Sequence, residues 1–263
     1  MLRVASFLAE NARPIYARLA AYLGERLGVP AELRAGGPWQ ELDDGQIDVA
    51  FLCGLPYSLR HDRPGRPIEL LCAPVMAAPR YAGQPVYFTD VVVRRDHPAR
   101  AFADLRSAAW AYNDDGSHSG YNVVRHHLLA LGETRGYFGR VVASGAHQAS
   151  IQLVLDGTVD ASGIDSTVLE LEMARQPALA GSLRTVATLG PSPIPPVVVA
   201  RGLDASLRAR LRDAFLTMSA DAAGRAILAE GRMTGFVPVQ DADYDPIRAM
   251  ARRAEAAGFL TLR

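Results

Sequence analysis

Ser117, Ser119 and Gly120 lie in the stretch 113–121, NDDGSHSGY, immediately ahead of Tyr121, Val124, Leu128 and Leu131. The i, i+3, i+7, i+10 spacing of those four predicts one apolar face of a helix that begins at about 117–120. First-turn N–H groups have no internal partner, and the aligned peptide dipoles place partial positive charge at the same end. An oxyanion can be held there without a basic side chain. Gly116 and Gly120 let the backbone approach closely, and the Ser117 and Ser119 hydroxyls can donate to the same oxygens. For this segment alone, simple capping of the helix by one serine explains the pattern equally well.

Two later segments shift the balance. Residues 144–150, SGAHQAS, open a second helical run through Ile151, Val154 and Leu155 and bring His147 to its start. The apolar run 159–164 is followed by IDS, which predicts Asp165 at a strand end. In open α/β sheets the carboxyl ends of strands and the starts of helices converge on one crevice, where ligands sit.

Other chemistries fit less well. In GSHSG the central residue is His118 rather than serine, so the nucleophile-elbow pattern fails. Ser119, His147 and Asp165 can be written as a hydrolytic triad, but the same residue types are expected in an oxyanion cage, and the reading is non-enzymatic. All 28 basic residues are arginine. The absence of lysine removes the Walker lysine and Schiff-base chemistry. His126 and His127 are adjacent and point to different sides of a helix, and neither HExxH nor CxxC occurs, so no metal and no cofactor is implied. Cys53 and Cys72 lie in separate apolar runs and read as buried thiols rather than a disulfide. Acidic residues also number 28, so no nucleic-acid partner is suggested.

The positioning elements read as alternating strands and helices. Residues 2–7 form a strand, Ile15, Leu19, Tyr22, Leu23 and Leu27 mark a helix face, and 31–34 and 47–53 are strands. This βαβ rhythm predicts an α/β fold with mainly parallel, helix-covered sheets. Residues 86–94 (VYFTDVVVR) and 194–201 (IPPVVVAR) interrupt it and read as a pair of crossing strands between two lobes. The predicted division is a discontinuous first lobe, 1–88 plus 200–263, and an inserted second lobe, 89–199, carrying most anion contacts. Leu207, Leu211, Phe215 and Met218 form a core stripe.

The succession SGY, SGAHQAS and LDGTVDASGIDSTVLE, with the earlier YLGERLG, GQIDVAFLCGLPY and PVYFTDVVVRRDHP, resembles the phosphonate/phosphate/phosphite-type substrate-binding proteins of ABC importers. The resemblance implies a two-lobed, type II periplasmic-binding-protein-like fold whose lobes are joined by two crossing strands. It implies capture of a small phosphorus oxyanion for an ABC permease by a monomeric protein. By resemblance the ligand residues fall on Ser117, His118, Ser119, Gly120 and Tyr121, on His147 and on Asp165. Tyr57 in LPY and Tyr87 in VYF would close over the site, although ordinary half-buried packing explains each tyrosine as well. His118 departs from the family's usual hydroxyl and would narrow the pocket or add a charge. Asp165 favours a protonated oxyanion or an amino-phosphonate.

Residues 1–10, MLRVASFLAE, read as a first strand running into a helix rather than a secretory leader. The encoded chain is thus expected in the cytoplasm, or in the periplasm if a leader was removed or missed, with no membrane insertion. A cytosolic enzyme or a ligand sensor on the same two-lobe scaffold is the alternative.

Overall fold

The computed structural model of the protein describes residues 1–262. In chain order the elements are β1 (Leu2–Ser6), α1 (Arg13–Leu27), β2 (Ala31–Ala35), α2 (Trp39–Asp43), β3 (Val49–Phe51), α3 (Gly54–His61), β4 (Ile68–Met76), β5 (Val86–Arg94) and β6 (Ala109–Tyr112). A π-helical turn (His118–Asn122) leads into α4 (Val123–Ala130), followed by β7 (Arg140–Ala143), α5 (His147–Leu155), β8 (Ala161–Asp165), α6 (Ser166–Arg175), α7 (Ala178–Ser182) and β9 (Leu183–Pro193). The chain closes with β10 (Val197–Ala200), α8 (Ala205–Leu216), α9 (Ala222–Glu230), β11 (Met233–Val237) and α10 (Asp245–Ala256).

Two compact units result. The first comprises Met1–Val86 and Pro193–Asp245; the second comprises Tyr87–Ser192 and the chain from Pro246 onward. Three backbone connections therefore join them, within β5, near the end of β9 and at the start of α10. Residues 246 onward, grouped with the first lobe in the sequence reading, pack with the second unit instead. The reason is both apolar and polar: Phe259 and Leu262 join that unit's buried core, the buried Arg125 donates from Nη1 to the Phe259 carbonyl at 2.9 Å, and Tyr121 donates its hydroxyl to the Leu260 carbonyl at 2.8 Å.

The first unit holds a six-stranded sheet in the order β11-β4-β10-β3-β1-β2. β2, β1 and β3 are parallel, whereas β10 runs antiparallel to β3 and β4, and β11 antiparallel to β4. The second holds five strands in the order β7-β6-β8-β5-β9, with β7, β6 and β8 parallel and β5 antiparallel to β8. Both sheets are mixed, not mainly parallel. Parallel pairing persists only where a helix supplies the crossover.

Segments 86–94 and 194–201 do not pair with each other. β5 pairs with β8, β10 sits between β3 and β4, and the returning strand is β9. Val197, Val198 and Val199 have no exposed surface, as expected of a strand covered on both faces. Such a run announces burial but not which sheet it joins.

The second unit's core explains how the anion-loop candidates are held. Trp110 on β6 is fully buried, stacked on Phe138 at 4.5 Å between ring centroids and edge-on to Phe102 at 6.1 Å. Val124 and Leu128 of α4 and Tyr121 before it complete this cluster, so the predicted apolar stripe is the face that docks the π-turn and α4 on the sheet. Leu131 alone of that stripe is exposed.

Candidate anion site

Ser117 has extended backbone (φ −75°, ψ 133°) and caps the π-turn, its Oγ accepting from the Gly120 N–H at 3.0 Å. That bond engages a hydroxyl lone pair and leaves the Ser117 proton available. Gly120 is required by close approach: a Cβ there would lie 2.0 Å from the Asn113 side-chain oxygen. The Ser119 carbonyl accepts from Thr89 Oγ1 on β5 at 3.0 Å, which ties the turn to the sheet.

His147 is the first residue of α5 and places Nε2 3.1 Å from Ser119 Oγ, which in turn lies 3.4 Å from Ser117 Oγ. The start of α5 is held by Ser144, whose Oγ lies 2.6 Å from Ser150 Oγ and shares its one proton between the Tyr112 and Ala146 carbonyls, at 3.1 and 3.0 Å. His147 Nδ1 is buried with no hydrogen-bond partner. A stranded N–H is the costlier orphan, so the proton belongs on Nε2, where it is donated to Ser119. Both serine oxygens then accept from inside the protein, and both hydroxyl protons can be turned toward a bound oxygen. Burial lowers the His147 pKa to about 4, so the ring is neutral at physiological pH.

Asp165 ends β8 and caps α6. All three of its hydrogen bonds, from the Thr167 N–H, Thr167 Oγ1 and the Val168 N–H, are accepted by Oδ1. Burial raises its pKa to about 6, with a further push from the nearby Asp90 charge, against the lowering by those bonds. Thr89 is its strand partner across the β5–β8 ladder. Asp165 and the Ser119 carbonyl thus flank the same threonine.

Ser117, Ser119, Gly120 and His147 come together, and Asp165 is connected to them only through its strand partner Thr89. His118 does not join them. It is fully buried, with Nε2 2.9 Å from Ser192 Oγ and Nδ1 3.1 Å from Asn122 Nδ2, and burial lowers its pKa to about 3. It adds no charge, because a neutral ring is the only form this interior tolerates. Tyr121 is likewise spent on the Leu260 carbonyl and on the Arg125 guanidinium, 4.5 Å from its ring centroid. Tyr57, in the first unit, is fully buried and donates to Asp241 Oδ1 at 2.6 Å while packing edge-on against Tyr244. Tyr87, in the second unit, is also buried, with its ring 6.3 Å from His118. Thr89, Asn122 and Ser192 were not singled out, and Ser144 and Ser150 entered only as part of the SGAHQAS helix entrance, without a role of their own.

The triad fails on geometry. Ser119 and His147 are paired, but no carboxylate reaches Nδ1, and Asp165 is turned to its helix cap. A serine whose histidine lacks its orienting acid has no defined base. Among the described residues no cluster of His, Cys, Asp or Glu could hold a metal, no helix is long and apolar enough to cross a membrane, and Cys53 and Cys72 form no disulfide.

The two histidines make stability pH-dependent. Their folded-state pKa values lie below the ordinary 6.5, so the unfolded chain takes up protons first as pH falls. Stability is lost from about pH 6.5 downward, by roughly 3 kcal/mol for each histidine near pH 4. Asp165, with a raised pKa, acts in the opposite sense and recovers part of that loss between about pH 6 and 4. Denaturant unfolding from pH 7 to 4 should show a net decline, shallower in His147→Gln; equal slopes would contradict a buried neutral imidazole.

Two mixed sheets flanked by helices define the class: a two-lobed, type II periplasmic-binding-protein fold. The family model for the periplasmic substrate-binding protein of phosphonate ABC transporters matches residues 4–244, and the chain belongs to that family. Among solved structures, a binding-protein component of an ABC phosphonate transporter from Pseudomonas aeruginosa shares the fold at a TM-score of 0.85 and 20% identity, covering 97% of this chain and 88% of its own. A Prochlorococcus marinus protein solved in complex with methylphosphonate gives 0.83 at 16% identity, covering 97% and 98%. A Xanthomonas citri protein solved bound to ATP gives 0.74 at 19% identity, with the same coverages of 97% and 98%. The family consists of substrate-binding proteins of ABC transporters, not enzymes. Its members work in the periplasm with a small-molecule ligand and a permease.

Proposed function

We propose that the chain captures a small phosphorus oxyanion (phosphonate, phosphite or phosphate) and delivers it, as a monomer, to the permease of an ABC importer. The observation that carries this is the Ser117–Ser119–His147 chain, in which Ser117 Oγ accepts from the Gly120 N–H and Ser119 Oγ lies 3.1 Å from His147 Nε2, so that each hydroxyl can turn its proton toward a bound oxyanion. Ser117, Ser119, Gly120 and His147 are the anion ligands in this reading. All are neutral, so the anion is held by oriented dipoles that cost no reorganisation when it arrives. Such donors suit a tetrahedral oxyanion that must later be released.

Asp165 selects among oxyanions. Below its pKa of about 6 it is a carboxylic acid that can donate from Oδ2; above it, a carboxylate that repels an anion or pairs with a cationic tail. Methylphosphonate affinity should therefore fall as pH rises through about 6, whereas 2-aminoethylphosphonate should hold its affinity.

The test is calorimetric titration of both ligands from pH 5 to 8 with wild type and Asp165→Asn. The ligand's own ionisation is common to the two proteins, so the affinity ratio isolates Asp165. That ratio should change about tenfold or more across pH 6 for methylphosphonate. A constant ratio would remove Asp165 from the site. In Asp165→Asn the pH dependence left between pH 6 and 8 should be the ligand's own ionisation alone, because His147 stays neutral throughout.

A further inference from the structure

We infer that His118 and Asn122 form a buried coupling that links the anion turn to all three backbone connections between the units; the inference rests on the anion site proposed above. Both side chains are completely buried and lie on the π-turn that carries Ser119. His118 Nε2 meets Ser192 Oγ at 2.9 Å, and Ser192 is the last residue of the second unit before the chain passes to Pro193. Asn122 Nδ2 meets His118 Nδ1 at 3.1 Å and the Ile247 carbonyl at 3.3 Å, and Ile247 lies one residue beyond the passage between Asp245 and Pro246. The third passage falls between Val86 and Tyr87, and the Tyr87 ring lies 6.3 Å from the His118 ring at 53°. One histidine–asparagine pair thus reaches a residue within two positions of every crossing.

The bond directions are fixed by chemistry. Asn122 Nδ2 can only donate, so His118 Nδ1 is the acceptor and Nε2 carries the proton donated to Ser192. No member can rotate without leaving a buried donor or acceptor unmade, which makes the network respond as a unit. Hinge motions concentrate in a few residues at the ends of elements, and the three residues held here occupy such positions. A shift of Ser117–Ser119 around a bound anion moves the backbone of His118 and, through it, Ser192, Ile247 and Tyr87. His118 and Asn122 are positioning residues, and they touch no ligand.

Ser192→Ala removes one end of the coupling without altering any anion-contacting group. Hydrogen exchange with and without methylphosphonate, together with calorimetric affinity, tests the idea on wild type, Ser192→Ala and Asn122→Ala. In wild type, the ligand should protect the peptides spanning 87–90, 189–193 and 245–249. In Ser192→Ala the anion should still bind, about tenfold more weakly, and ligand-dependent protection at 87–90 and 245–249 should be lost. A merely structural role would lower melting temperature without abolishing that distant protection. Wild-type affinity and wild-type protection in both variants would overturn the inference while leaving the anion site standing. A wild type that binds none of methylphosphonate, phosphite and phosphate would overturn the site itself, and the coupling with it.

Discussion

Ser119→Asp should abolish binding of phosphorus oxyanions. Ser119 Oγ is the junction of the site, 3.1 Å from His147 Nε2 and 3.4 Å from Ser117 Oγ. A carboxylate there replaces a donor by an acceptor and sets a negative charge where the ligand's must lie. Losing one charge-assisted hydrogen bond and adding a close like charge amounts to about 3 kcal/mol or more, at least a hundredfold in affinity. The residue is only 2% exposed, so the fold needs its own check. His147 Nε2 can pair with the new carboxylate, and circular dichroism should remain that of the wild type. Ser119→Ala serves as the milder companion, with an expected loss of about tenfold from one missing donor. Calorimetry on both variants reads the effect, and unchanged affinity in either would take Ser119 out of the site.

The second large effect concerns the platform under that turn. Trp110→Ala should destabilise the protein by about 4 kcal/mol, because it removes a fully buried indole stacked on Phe138 and edge-on to Phe102. The tryptophan Nε1 has no hydrogen-bond partner in this core. Trp110→Phe therefore deletes a buried orphan donor along with the lost ring volume, and the two changes offset in part. It should cost less than half as much as the alanine substitution. Since β6 runs directly into 113–117, Trp110→Ala should also weaken anion binding, whereas Trp110→Phe should bind normally. Denaturant unfolding measures both. Equal costs for Phe and Ala would show that the indole N–H finds a partner after all.

The chemistry-bearing helix entrances were legible in the sequence because each is a local pattern: hydroxyl and glycine residues ahead of an apolar stripe. Ser117, Ser119, Gly120 and His147 assemble for that reason. Asp165 was legible as a strand-end acid. Its double role as helix cap and titrating group required knowing that Thr167 and Val168 fold back onto Oδ1 while burial raises the pKa.

His118 shows where local reading stops. Resemblance grouped it with Ser117 and Ser119 as a candidate ligand, but neighbours in a turn point in different directions, and its partner Ser192 lies 74 residues away. Thr89 is 30 residues from Ser119, and Arg125 anchors a segment 134 residues away. Such contacts are made by tertiary folding and leave no spacing in the chain. The apolar run at 197–200 failed similarly, since full burial on both faces is all that its side chains encode.

The central claim is that this chain holds a phosphorus oxyanion on neutral donors, and the most direct measurement is calorimetric titration of the purified protein against phosphate, phosphite, sulfate, methylphosphonate and 2-aminoethylphosphonate. One-to-one, tight binding of one phosphorus oxyanion, with sulfate weak because it stays a dianion beside Asp165, is the predicted result. Silence across the panel, or equal binding of sulfate and the phosphorus anions, would contradict the account.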